Sequence, residues 1–253
     1  MSNRLFAHAA RIGWLPLLLL AAVASAEEIK VLSSNGVRAM LKELGPHYER
    51  TTGNKLNIEF DVANVLKTRI DSGEPFDVAI LTGPALDELS KEGKVNAGTR
   101  ADIARSGIGV AVRAGAPKPD ISTVEAFKRT LLAAKSVAYT TQGASGIYFA
   151  GLLQRLGIAE EMKPKAKLLQ GGAAAELVAR GEAELAVQQI SELLPVPGID
   201  YVGPLPSELQ NYTVFAAALA PNTKEAGPAA SFIKFLTGPD AIAVIKTKGM
   251  ERP

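Results

Sequence analysis

The sequence predicts an α/β protein of two lobes, each a mixed sheet flanked by helices, with a ligand cleft between the lobes. Three observations carry that expectation. Strand-like and helix-like segments alternate from Ile29 onward. A Pro/Gly segment, Ala114-Gly115-Ala116-Pro117-Lys118-Pro119-Asp120, separates a first alternating set from a second. Two strand-rich stretches, near 107–116 and 203–216, flank the second set, so the chain crosses out and back and its C-terminal part rejoins the first lobe. The predicted division is a leader at 1–26, a discontinuous lobe at 27–112 and 214–253, and a second lobe at 113–213.

The first set opens on the strand Ile29-Lys30-Val31-Leu32 and the loop Ser33-Ser34-Asn35-Gly36. Val37, Met40, Leu41 and Leu44 then fall at helical spacing, with Ser34 or Asn35 as N-cap. The turn Thr52-Gly53-Asn54 leads into strict alternation at Leu56, Ile58, Phe60 and Val62, the mark of a half-buried strand. A short helix is expected over 64–71, and a strand over 76–81 ends on Thr82-Gly83-Pro84 and a third helix. Residues 107–113 form the next strand. In the second set, Ser122-Thr123-Val124-Glu125 has capping-box spacing and opens a helix to residue 134. A strand at 136–139 runs into Thr140-Thr141-Gln142-Gly143-Ala144-Ser145-Gly146, and a helix then carries Ile147, Leu152, Leu153 and Leu156. A shorter helix near 173–180, a strand at 184–188, a loop with Pro195 and Pro197, and Tyr201-Val202-Gly203 complete the set. A strand at 213–220 and two helices close the chain.

Ahead of these elements, Arg4 and Arg11 precede an apolar run at 15–23 that ends on Ala24-Ser25-Ala26, with Glu27-Glu28 following. That is the pattern of a secretory signal peptide cleaved between Ala26 and Glu27. The run is shorter than the about 20 apolar residues of a membrane span, so no anchor is expected. The full chain has 28 Lys+Arg and 26 Asp+Glu. The leader takes two arginines, which leaves an exported chain of zero net charge, a balance that argues against nucleic acid or an anionic membrane as partner. With no cysteine anywhere, there is no disulfide, thiolate metal site, cysteine nucleophile or lipidated cysteine. His47 is the one histidine left after the leader, which removes histidine-based zinc sites and leaves little room for a Ser-His-Asp triad. It is read as a packing or solvent-facing residue, and no metal or cofactor is expected.

In open α/β sheets, ligands collect beyond the carboxyl ends of the strands, where helix N-termini present free N–H groups. Here those ends carry small neutral donors. The candidate ligand-binding residues are Ser33, Ser34, Asn35, Asn64, Thr82, Thr141, Ser145, Gly146 and Gln188. Such residues are also ordinary helix caps; their recurrence at strand ends in both lobes favours a cleft for a small anion. Lys67 and Arg69 are read as a solvated helix face, with the option of adding positive charge near a carboxylate. Gly143-Ala144-Ser145-Gly146 lacks both the P-loop lysine and the spacing of a dinucleotide fingerprint.

Several segments, taken in order, resemble the type II periplasmic solute-binding proteins, and within them the molybdate-binding-protein-like group. They are the first strand with Ser33-Ser34, Thr51-Thr52-Gly53-Asn54-Lys55, Gly73-Glu74-Pro75-Phe76-Asp77-Val78, Gly181-Glu182-Ala183-Glu184-Leu185, Val202-Gly203-Pro204-Leu205-Pro206, and the C-terminal Phe235-Leu236-Thr237-Gly238-Pro239-Asp240-Ala241 with Gly249-Met250-Glu251-Arg252-Pro253. The resemblance implies a monomer in the periplasm that captures an oxyanion or organic carboxylate and delivers it to the permease of an ABC importer. It also matches Ser33 or Ser34 to the family's first-strand serine and the 140–145 loop to its second-lobe binding loop. Two departures point away from tetrahedral molybdate. Val62-Ala63-Asn64 stands where the molybdate binders resemble Ser-Ser-Gly, and Gln188 stands where they carry a tyrosine, so the pocket has fewer hydroxyl donors. The same branch resembles the periplasmic aconitate isomerases, which implies an alternative role as an isomerase of a small tricarboxylate. No residue pair in the sequence identifies the base that such a reaction needs.

Overall fold

Residues 28–253 are described in a computed structural model of the chain, so the expected leader and its cleavage point lie outside the described residues. The chain begins with β1 (Glu28–Ser34), α1 (Arg38–Thr52), β2 (Lys55–Asp61), α2 (Ala63–Asp71), β3 (Val78–Thr82), α3 (Gly83–Lys91) and β4 (Ala101–Ser106). It then crosses to β5 (Ile108–Arg113), α4 (Val124–Ala133), β6 (Val137–Thr140), α5 (Ala144–Arg155), α6 (Ala159–Met162), β7 (Ala166–Leu169), α7 (Ala174–Ala179), β8 (Leu185–Gln189), α8 (Ile190–Leu193) and β9 (Ile199–Pro204). It returns through β10 (Thr213–Leu219), α9 (Ala226–Thr237) and α10 (Pro239–Thr247).

The strands form two five-stranded mixed sheets, ordered β2-β1-β3-β10-β4 and β7-β6-β8-β5-β9. In the first sheet β1, β2 and β3 are parallel and β10 runs antiparallel to both β3 and β4. The second repeats the plan, with β6, β7 and β8 parallel and β5 antiparallel to β8 and β9. The carboxyl ends of β1, β2, β3 and β4 therefore share one edge, and those of β6, β7, β8 and β9 share another. Since β4 passes into β5 through Gly107 alone, these two edges meet at the crossing.

Each sheet is covered on both faces, which is why its strands are apolar on successive residues rather than on alternate ones. In the first, Val31, Ile80 and Phe215 pack with Met40, Leu44, Phe232 and Leu236, while Leu32, Ala79 and Leu81 face Leu66, Ile70, Leu86 and Leu89. In the second, Ile108, Val110 and Val187 face Phe127, Phe149 and Leu152, and the opposite face packs Ala111, Ala138 and Ala186 against Ala174, Val178 and Leu193.

The structure departs from the sequence reading at several points. Residues 108–112, expected with the first lobe, stand in the second sheet, because β5 pairs with β8 and β9. Two strands in a row separated by one glycine read as a single stretch. β4 was not expected at all, because Asp102 and Arg105 interrupt its apolar pattern; they are drawn outward to Arg100 and Glu251. β7 was also not expected: an edge strand with Lys167 and Leu168 exposed has no buried face to announce it. The cap of α4 is Thr123, whose side chain accepts from the Ala126 N–H, while Ser122 is held by the Asp120 carboxylate at 2.7 Å. His47 packs edge-on against Phe235, with ring centroids 5.4 Å apart, as the packing reading expects.

Candidate functional site

The two carboxyl edges enclose a cavity of about 30 Å³. From the first sheet it is lined by Ser34, Asn35, Val62, Ala63 and Thr82, and from the second by Gly143, Ala144, Gln189 and Glu192. A groove of about 370 Å³ shares Asn35 and Glu192 with the cavity and continues outward past Arg38, Lys42, Gly172 and Glu176. The site is thus a narrow interior with a wider, charged mouth.

The donors are set by local structure. Ser34 ends β1 and stands before a 3-10 turn, Asn35–Val37; its side chain makes no capping bond, although the sequence suggested one. Its hydroxyl has no hydrogen-bond partner among the described residues, and the residue is only 5% exposed. Ser145, the second residue of α5, is 2% exposed and its hydroxyl likewise has no protein partner. Thr82 is half-buried at the end of β3, with its hydroxyl free for the cavity. Asn35 reaches cavity and groove, but its Oδ1 accepts from Arg38 Nε at 3.2 Å, so the asparagine orients the guanidinium. That guanidinium also lies 4.7 Å above the Phe60 ring and makes no salt bridge among the described residues. Lys42, one turn further along α1, likewise makes no salt bridge among the described residues.

The other expected residues are placed differently. Ser33 is fully buried, and its hydroxyl points to the Ser34 carbonyl at 3.4 Å. Asn64 is exposed on α2 and the cavity wall is made by Val62 and Ala63. Thr141 is exposed, and both its N–H and its hydroxyl donate to the Leu169 carbonyl, extending the β6–β7 pairing. Gly146 sits inside α5, where a Cβ would fall 1.6 Å from the Thr140 carbonyl oxygen. Its lack of a side chain lets the helix start against the end of β6. Gln188 does not line the cavity: Oε1 accepts from the Ala174 N–H at 2.9 Å and Nε2 donates to the Gly172 carbonyl at 2.9 Å, which fixes the loop before α7. Lys67 pairs with Asp71 and Glu92, and Arg69 with Glu59 and Glu74, so neither brings charge to the cleft.

Two residues outside the expected set hold the site together or change its chemistry. Gln189 follows Gln188 on β8 and therefore faces the other way, into the cavity. Its Oε1 accepts from Thr213 Oγ1 at 2.6 Å and its Nε2 donates to the carbonyls of Ser106 and Gly107, at 3.0 and 3.1 Å, so one amide ties both crossings between the sheets. Glu192, on α8, puts a carboxyl into the wall of both cavity and groove. Burial raises its pKa to about 7, against the opposing pull of the Gln188 amide and the Arg38 guanidinium. The neighbouring Ser191 hydroxyl donates to the Gly36 carbonyl at 2.7 Å, a bond from the second sheet's helix to the first sheet's turn.

Two mixed α/β sheets, facing strand ends and a cleft of neutral donors between them define a two-lobed binding protein of the periplasmic-binding type. The model of the family "bacterial extracellular solute-binding protein" matches residues 29–251, and the chain belongs to that family. It is 39% identical over 229 residues to an aconitate isomerase of Pseudomonas sp., covering 88% of this chain and 87% of that protein. It is 28% identical over 247 residues to the molybdate-binding protein ModA of Azotobacter vinelandii, covering 91% of this chain and 92% of that protein. Among solved structures it is similar to the Azotobacter vinelandii periplasmic molybdate-binding protein, with a TM-score of 0.77 at 20% identity over 89% of this chain and 99% of that one. This last likeness speaks for the fold alone.

Proposed function

We propose that the protein captures a small organic carboxylate in the cleft between its two sheets. The observation that carries this reading is the pair Ser34, which lines the cavity, and Ser145, next to the lining residue Ala144: two hydroxyls from opposite lobes with no hydrogen-bond partner among the described residues. No buried side-chain oxygen lacks a partner among the described residues, so both hydroxyls open to solvent in the cleft and can donate to a bound anion. The first N–H groups of α5 add a favourable dipole. Val62 and Ala63 contribute no hydroxyl, and Glu192 contributes a carboxyl, so a tetrahedral oxyanion finds fewer donors here than a carboxylate that extends toward Arg38 and Lys42. In this reading the protein works in the periplasm as a monomer, its lobes close by hinge motion at Gly107 and the 205–212 crossing, and it hands its ligand to an ABC importer.

Ligand binding to the folded form raises the melting temperature in proportion to the logarithm of ligand concentration over Kd. Thermal shift with molybdate and sulfate on one side, and citrate, tricarballylate and cis- and trans-aconitate on the other, tests the reading. A rise with tricarboxylates supports it; a rise with molybdate alone, or with none of them, sinks it.

The 39% identity to an aconitate isomerase favours a second reading, in which the same cleft isomerises a small tricarboxylate. Incubation with cis- or trans-aconitate separates the two, because a binding protein leaves the isomer ratio unchanged.

A further inference from the structure

A carboxyl in the wall of an anion-binding cleft is a paradox for a protein that only binds. Ionised, Glu192 repels an anionic ligand and forms no salt bridge among the described residues; Arg38, whose charge acts on it, is turned to Asn35. It is the only titratable group among the described residues lining the inner cavity. It stands where cavity and groove meet, beside Asn35 of the facing lobe and one residue after the Ser191–Gly36 bond that joins the lobes. A molecule held where cavity and groove meet lies against Glu192.

We propose that Glu192 is the catalytic residue that carries a proton between two carbons of a bound unsaturated tricarboxylate. The inference rests on the isomerase reading. The Glu192 carboxylate takes a proton from the methylene carbon, and the C–H electron pair becomes the new double bond. The old double bond's pair moves onto the carbon at its far end, in conjugation with a carboxylate whose oxygens take up charge. The same carboxyl, which exchanges its proton with solvent through the groove, then delivers a proton to that carbon. One proton leaves and one arrives, and no oxidant or second substrate is needed. Hydroxyls of Ser34 and Ser145 and the first N–H groups of α5 suit the oxygens on which charge grows. Arg38 and Lys42, adjacent on α1 and without a salt bridge among the described residues, suit the substrate's outer carboxylates in the groove. A proton carrier works best when its pKa is near the working pH, and burial places that of Glu192 at about 7.

The test follows aconitate in D2O by proton NMR with the purified protein, Glu192→Gln and Glu192→Asp. The wild type is expected to interconvert the isomers, with kcat/KM rising through about pH 7 as Glu192 ionises between Arg38, Lys42 and Glu176. Glu192→Gln is expected to keep the aconitate-induced rise in melting temperature and to lose isomerisation and methylene deuterium exchange by about 10³-fold. Glu192→Asp is expected to retain more activity than the amide. Isomerisation by Glu192→Gln within about tenfold of wild type overturns the assignment and leaves the isomerase reading standing. A wild type that binds aconitate without isomerising or exchanging it overturns both, while carboxylate capture survives.

Discussion

Replacing Glu192 by Gln removes the carboxyl that the cleft keeps protonated near neutrality, and the consequence for stability follows from its surroundings. The group lies among Arg38 and Lys42 of α1, Glu176 of α7 and the Gln188 amide, and burial outweighs the attraction of Arg38. Its pKa is about 7 in the folded protein and about 4.5 in the unfolded chain. Between those values the folded state holds a proton that the unfolded state has released, so stability falls as pH rises across that window. A difference of about two and a half units corresponds to at most about 3.4 kcal/mol. The carboxyl is half-buried at a groove open to solvent, and screening reduces the effect to about 1–2 kcal/mol. The neutral amide escapes this loss. Glu192→Gln should therefore gain on the wild type between pH 5 and 8 by about 2–8 °C in Tm. Thermal unfolding of both proteins by circular dichroism at pH 5, 6, 7 and 8 measures it, and the difference cancels the other carboxylates. Tm curves that run parallel to within about 1 °C would refute the argument.

Further outcomes follow from other residues. Ser34→Ala and Ser145→Ala should each weaken carboxylate binding by about 1–3 kcal/mol in titration calorimetry, with little change in unliganded stability; unchanged affinity in both would place the ligand elsewhere. Gly146→Ala forces a methyl group onto the Thr140 carbonyl and should lower stability by about 3 kcal/mol in urea unfolding, and a stable variant would mean α5 can shift at no cost. Glu74, held down to about pKa 2 by Arg69 and then Lys30, contributes stability above the ordinary carboxylate range that is lost as pH falls toward 2. Glu74→Gln should cost about 1 kcal/mol at pH 7 and only a small fraction of that at pH 2, and an equal cost at both would exclude the ion pairs as its origin.

Much of the architecture was legible in the sequence because it is written in local periods. Alternation at Leu56, Ile58 and Phe60 marks β2, and the spacing of Met40, Leu41 and Leu44 marks α1. The rule that ligands meet the carboxyl ends of parallel strands singled out the serine at the end of β1, and that serine lines the cavity. β7 and β4 escaped because an edge or charged strand leaves too weak a period to read. Asn64 and Thr141 were reasonable donors by position, yet each turned outward, because a helix or strand end offers several directions and only the neighbouring chain selects one.

The sequence by itself determined that this is an α/β protein of two alternating sets, neutral after its predicted leader, without cysteine chemistry and with small polar residues at its strand ends. Tertiary structure alone decided which of two adjacent glutamines lines the cavity and which supports a loop. A strand's sides alternate with every residue, so Gln188 and Gln189 are indistinguishable until the sheet is placed. It also decided the chemistry of Glu192, an ordinary acidic residue in the run Ile190-Ser191-Glu192-Leu193. Its pKa of about 7 comes from burial between Asn35 and Arg38 of one lobe and Gln188 of the other, segments about 150 residues apart that only the fold brings together.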